Sequence, residues 1–249
     1  MAGHSQFANI KHRKGAQDIK KAKLFTKILR EVTVAAKSGQ PDPEFNPRLR
    51  NAMIEARVNN MPKDRIDAAV KKVISGIDSD NFEEIRYEGY APGGVAIIVE
   101  ALTDNRNRTA SEVRSIFTKM GGVLGESNSV TFMFDRVGVI QFDKKIASEE
   151  TMFEAALEAG AEEVESSEEV HVVITSPEKF ISVRDVLIKK FGDPLAAKLD
   201  WKAKNSMEIT DQDQAQKLLK LTDLLEDCDD VQSVTGGYVL KVDYNQDNQ

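Results

Sequence analysis

The chain is short of the residues that most often build catalytic or metal chemistry. Cys228 is its one cysteine in 249 residues, so no intramolecular disulfide can form and a cysteine-based zinc site is out of reach. A lone thiol fits a reducing compartment, and the sequence reads as cytoplasmic. His4, His12 and His171 are the only histidines and stand at no metal-ligand spacing. The longest unbroken apolar run, Val95 to Val99, has five residues, against about twenty for a bilayer span. No membrane partner is expected. The first residues are polar and basic with no apolar core, so no secretory leader is expected either. Nucleophile elbow, phosphate loop and dinucleotide fingerprint are all missing, and Gly93-Gly94 and Gly121-Gly122 read as turns. The sequence therefore predicts no enzyme, no cofactor and no metal.

What is there is charge, unevenly distributed. Residues 1–75 hold 16 Lys/Arg against 7 Asp/Glu, whereas residues 76–249 hold 18 against 34. The first balance is +9, the second -16, and together they give the net charge of -7. Such a division points to a basic module made for a polyanion, carried by acidic modules that are not.

From Ile19 to Lys37, Leu24, Phe25, Ile28, Leu29, Val32 and Ala36 fall on one helical arc. Lys20, Lys23, Lys27, Arg30 and Lys37 line the opposite edge, while Lys21 lies on the apolar arc and must snorkel from it. Asn46-Pro47 is a cap followed by proline in the first turn of a second helix through Leu49, Met53 and Ala56. Met61-Pro62 opens a third through Ile66, Ala69, Val70 and Val73. Gly76 to Asn81 reads as a linker.

The period then changes. Tyr87 to Tyr90 and Val95 to Ala101 read as strands around a turn at Ala91 to Gly94, followed by a helix over Arg108 to Met120 and a strand at Val130 to Phe134. Strand, helix, strand, strand, helix, strand follow from Gly138 to Lys204, the ferredoxin-like order. Asp211 to Glu226 is a last helix, and Val231 to Val234 with Tyr238 to Val242 read as a hairpin across Gly236-Gly237. The expected fold is α+β and multidomain: an N-terminal three-helix module and two α/β domains, the second, ferredoxin-like, inserted into the first. The expected boundaries are 1–76, 77–136 with 206–249, and 137–205.

The segment Lys11-His12-Arg13-Lys14 continues into the basic edge of the first helix, and no acid precedes Asp18. The candidate nucleic-acid contacts are His4, Lys11, His12, Arg13, Lys14, Lys20, Lys23, Lys27, Arg30, Arg48 and Arg50. Lys63 and Arg65, at the start of the third helix, could extend that surface. Residues 1–75 hold Phe7, Phe25 and Phe45 but no Tyr or Trp, so backbone and shape contacts are favoured over base stacking. Glu149 to Glu169 holds nine glutamates and no Lys or Arg, a surface that repels nucleic acid. It serves as a solubilising face or as a dock for a basic protein partner. Asp104 to Thr109 is basic and amide-rich, suited equally to phosphate contact and to helix capping.

Ala8 to Lys14, Phe25-Thr26-Lys27, Asn46-Pro47-Arg48-Leu49-Arg50, Asn60-Met61-Pro62-Lys63-Asp64 and Tyr87-Glu88-Gly89-Tyr90-Ala91-Pro92-Gly93-Gly94 together resemble the YebC/PmpR family. That family is related to the mitochondrial translational activator of cytochrome c oxidase. The resemblance implies three domains, one inserted into another, and a non-enzymatic cytoplasmic regulator of gene expression. It implies either a regulator that binds promoter DNA or a ribosome-associated factor that contacts rRNA and relieves stalling at proline-rich stretches. A third possibility, a protein-interaction scaffold working through the glutamate-rich face, predicts function that survives charge removal at the N-terminus.

Overall fold

A computed structural model describes residues 17–77 and 81–242, and these form an α+β protein. Three helices come first, α1 Gln17–Ser38, α2 Pro47–Val58 and α3 Lys63–Ile74. Next are β1 Glu83–Ala91, β2 Val95–Thr103, α4 Arg106–Lys119 and β3 Val123–Leu124, then β4 Phe134–Asp143, α5 Glu149–Ala159, β5 Glu163–Ser166, β6 Val170–Thr175, α6 Phe180–Phe191 and β7 Ala196–Ala203. The chain closes with β8 Met207–Ile209, α7 Gln212–Glu226, β9 Val231–Gly236 and β10 Tyr238–Leu240. By compactness the described residues divide into two units, 17–77 with 136–200, and 81–135 with 201–242.

In the first unit, Phe25, Ile28, Val32 and Ala35 of α1 pack on Leu49, Ala52 and Ala56 of α2 and on Ile66 of α3. Leu24, expected on the same arc, is 36% exposed. At 22 residues, α1 outruns both 12-residue partners, so its early turns have less to pack against. Lys21 does snorkel: its ammonium stands 5.6 Å from the centre of the Phe25 ring.

Asn46 joins α1 to α2. Its Oδ1 accepts from the Leu49 amide at 3.0 Å, while its Nδ2 donates to the carbonyls of Ala35 at 2.7 Å and Gln40 at 2.8 Å. One side chain thus caps the second helix and ties the end of the first, satisfying groups that helix termini leave unpaired. Gly39 is required beside it, because a Cβ there would stand 2.7 Å from Asn46 Nδ2. Asn60, at φ 56°, turns the chain out of α2, and the Met61 amide donates back to the Ala56 carbonyl at 2.9 Å.

The rest of the first unit is the ferredoxin-like sheet, in the order β5-β6-β4-β7 with α5 and α6 against one face. Ile140, Phe142 and Val173 alternate with Val139, Val172 and Ile174, so each strand supplies residues to both faces.

In the second unit β1 and β2 form a hairpin, and the sheet runs β3-β1-β2-β9. Val113 and Phe117 of α4 and Leu218, Leu221 and Leu225 of α7 cover one face of it. Two sequence expectations are corrected here. Val130 to Phe134 does not form a strand of its own: Thr131–Met133 make a 3-10 turn, and one longer strand, β4, begins at Phe134. Glu88 contributes to this: its carboxylate takes the amides of Asn128, Val130 and Thr131 at 2.9 to 3.0 Å, withdrawing them from any ladder. Nor do β9 and β10 form a hairpin. β9 pairs antiparallel with β2, while β10 pairs parallel with β8, an element missed in the sequence. At the junction the Gly237 amide donates to the Ala96 carbonyl, and the Gly237 carbonyl accepts from Met207, which turns the chain out of one sheet and into another.

Candidate nucleic-acid interface

The candidate residues His4, Lys11, His12, Arg13 and Lys14 lie outside the described residues. Lys20 falls in the first turn of α1. Lys23, Lys27 and Arg30 continue along that helix at spacings of three and four; each is half-buried and each has an interaction partner. The helical period brings these positions onto one edge, as the sequence pattern required.

Arg48 and Arg50 behave differently. Arg48 points back to α1, where Glu31 receives Nε at 2.6 Å and Nη2 at 3.0 Å. The charge is matched inside the module. Arg50 donates Nε to the Pro43 carbonyl and Nη2 to the Glu44 carbonyl, bracing the loop before α2, and its Nη1 lies 3.5 Å from Asp185 of α6. Lys63 and Arg65 are exposed at the start of α3, whose cap position is Pro62 with no side-chain hydrogen bond.

Sequence reading missed a polar contact between α2 and α6. Arg184 is 0% exposed. It donates Nε and Nη2 to Asp185 Oδ1 at 2.9 and 2.6 Å, gives Nη1 to Asn51 of α2, and lies 6.0 Å from the Phe180 ring. Its sequence signal was position: Phe180, Val183, Arg184 and Leu187 share the buried stripe of α6, and a cation there demands partners. Nearby, Arg57 reaches Asp193 at 3.6 Å. Burial raises the Glu55 carboxyl above its usual range; Lys198 opposes that effect and Glu31 adds to it.

The acids cluster elsewhere. Glu150, Glu154 and Glu158 are all exposed on α5. His171, the histidine among the described residues, is fully buried, with Nδ1 at 2.6 Å from Ser166 Oγ and Nε2 at 3.0 Å from the Ala147 carbonyl. Both nitrogens are committed within the fold. Among the described residues no three His, Cys, Asp or Glu side chains gather as metal ligands, and no helix is long and apolar enough to cross a membrane.

Comparison with known proteins covers nearly the whole sequence. Residues 5–76 match the family model of the TACO1/YebC protein N-terminal domain, and residues 82–237 match the model of the TACO1/YebC second and third domain. The crystal structure of a conserved hypothetical protein from Aquifex aeolicus is similar at a TM-score of 0.89 and 46% identity, over 97% of this chain and 100% of that one. Helical module, ferredoxin-like sheet and second sheet thus recur together in a solved relative, and the chain belongs to the TACO1/YebC family.

Proposed function

We propose that the protein is a non-enzymatic regulator of gene expression that binds nucleic acid through its N-terminal helical module, with promoter DNA as its target. The observation that carries this reading is the charge division, +9 over residues 1–75 against -16 over the remainder. Lys11, His12, Arg13 and Lys14 lead into Lys20, Lys23, Lys27 and Arg30 along one edge of α1, a layout suited to tracking phosphates. Arg48 ties α2 to α1 through Glu31 and Arg50 fixes the loop before α2, and the acidic remainder positions the basic part.

A ribosomal RNA target is the second reading, and one observation favours it. A reader of base edges presents side chains from a helix set in the major groove. Two arginines of α2, Arg48 and Arg50, are turned onto acceptors within the protein, which leaves backbone contact as the dominant mode. Backbone contact serves an RNA cleft as well as a duplex.

The test is the triple substitution Lys11→Ala, Arg13→Ala and Lys14→Ala, with binding measured across salt. With about six to ten phosphates engaged, wild-type affinity falls by ~10³ to 10⁵ between ~50 and ~200 mM salt. The triple variant should bind more weakly and with a shallower slope. Unchanged binding and slope would overturn the assignment. Crosslinking in cells with sequencing of both DNA and RNA separates the targets: promoter peaks select the first, rRNA contacts the second.

A further inference from the structure

Helix α4 stands out in the acidic part of the chain. It carries Arg106, Arg108, Arg114 and Lys119 against a single acid, Glu112. The sequence left the run from Asp104 to Thr109 between phosphate contact and capping. Capping falls to Asn105, whose Oδ1 accepts from the Arg108 amide at 3.1 Å. Arg106 lies 3.7 Å from Glu83, which leaves the exposed residues further along the helix to account for.

Their direction follows from the helical period. Thr109, Val113 and Phe117 are buried at spacings of four, fixing the inward face on the sheet. At 100° per residue Ser111 and Ser115 stand opposite that face, with Thr118, Asn107 and then Arg114 towards one flank, and all five are exposed. Lys119 and Arg108 lie towards the other flank. Arg108 is held in place, with Nη2 at 2.7 Å from both Asp104 and Asp230, and Asp230 is itself fixed by Thr103 and Thr109. Among the described residues no carboxylate pairs with Arg114 or Lys119.

We propose that the outward face of α4 is a second contact for a nucleic-acid phosphate backbone, separate from the N-terminal module. This rests on the reading of the protein as a nucleic-acid binder and adds a surface to it. Charge complementarity selects the partner: Arg106 lies 3.7 Å from Glu83 and Arg108 is matched by Asp104 and Asp230, so the basic excess of this helix is Arg114 and Lys119 against Glu112, in a region whose balance is -16. Asn107, Ser111 and Ser115 on that face point the same way, while the Thr118 hydroxyl donates to the Arg114 carbonyl at 2.9 Å. Amide and hydroxyl donors beside guanidinium and ammonium groups are the set that contacts phosphate and sugar. A protein partner would call instead for a large apolar or aromatic anchor, and this face has none.

The experiment compares Arg114→Gln with Lys119→Gln, made together, against Lys217→Gln with Lys220→Gln on α7. The α7 pair is also exposed and makes the same change in net charge. A labelled DNA duplex and a labelled RNA hairpin are titrated across salt, with circular dichroism confirming that each variant folds. Loss of two phosphate contacts should reduce the salt slope by about two and weaken binding about tenfold at low salt, while the α7 variant stays within about twofold of wild type. Equal binding by the α4 variant and wild type, or equal damage from the α7 variant, overturns the proposal. If the N-terminal triple variant alone weakens binding, the functional reading stands and the α4 contact fails. If the α4 variant alone does so, the contact stands and the N-terminal assignment fails.

Discussion

Glu31 on α1 and Arg48 on α2 form a two-pronged ion pair across 17 positions of sequence, with both guanidinium contacts at 3.0 Å or less. Two side chains that look like independent surface charges in the sequence are one unit in the fold. The pair is more than a quarter exposed on each side, so its contribution to stability is about 0.5 to 1 kcal/mol. We predict that Arg48→Ala lowers stability by no more than about 1 kcal/mol and leaves the salt slope of nucleic-acid binding unchanged. Glu31→Gln removes a negative charge from beside the basic edge of α1, and the slope should steepen. A clear loss of slope in Arg48→Ala would show that this arginine reaches phosphate after all.

Asn46 is the residue on which the helical module turns. It is 6% exposed, caps α2, and donates to the Ala35 carbonyl in the last turn of α1 and to the Gln40 carbonyl in the loop beyond it. Asn46→Ala should cost about 2 to 4 kcal/mol, the lost cap plus two carbonyls stripped of a donor. Asn46→Asp keeps the acceptor and loses the donors, so it should fall between alanine and wild type. Urea unfolding of the three proteins checks the order; an aspartate variant as stable as wild type would mean the donated bonds contribute nothing.

Glu88 sets an acid limit on the second unit. It is 2% exposed; burial alone would raise its carboxyl, but hydrogen bonds from Thr131, Val130, Asn128 and Arg86 outweigh burial and hold it at about 2 against an ordinary 4.5. A depressed carboxylate stabilises the fold above its unfolded value, and that stability is lost as pH falls from about 4.5 towards about 2. The shift corresponds to roughly 3 kcal/mol. Glu88→Gln should be less stable at neutral pH, because its amide cannot accept from all of these donors. It should also lose less further stability on acidification. Denaturant midpoints at several pH values test this, and parallel curves for the two proteins would refute it.

The sequence was most legible where one element decided its own structure. The apolar arc of α1, the cap and proline opening α2, the strand order over residues 134–203 and the glycine turn between β1 and β2 all follow from local spacing. It was least legible where a distant side chain overruled the local pattern. Val130 to Phe134 has strand composition, yet Glu88, some forty residues earlier, takes its first two amides. Tyr238 to Leu240 looks like the second arm of a hairpin, yet it finds a parallel partner in β8. The candidate interface divided the same way: the edge of α1 was readable from its period, whereas the partners of Arg48, Arg50 and Arg184 depend on how α1, α2 and α6 meet.

The order in which β2 acquires its neighbours has a consequence for the protein as it is being synthesised. β1 lies directly before β2 in the chain, but β9, on the other side of β2, emerges more than a hundred residues later, after the whole ferredoxin-like insertion. The helical module can complete its core early, while the apolar strand from Val95 to Thr103 waits with one row of amides and carbonyls open. An unpaired strand edge of that kind recruits other chains. Nascent chains truncated before Val231 should therefore be the aggregating species, and a chain halted before Glu83 should remain in solution.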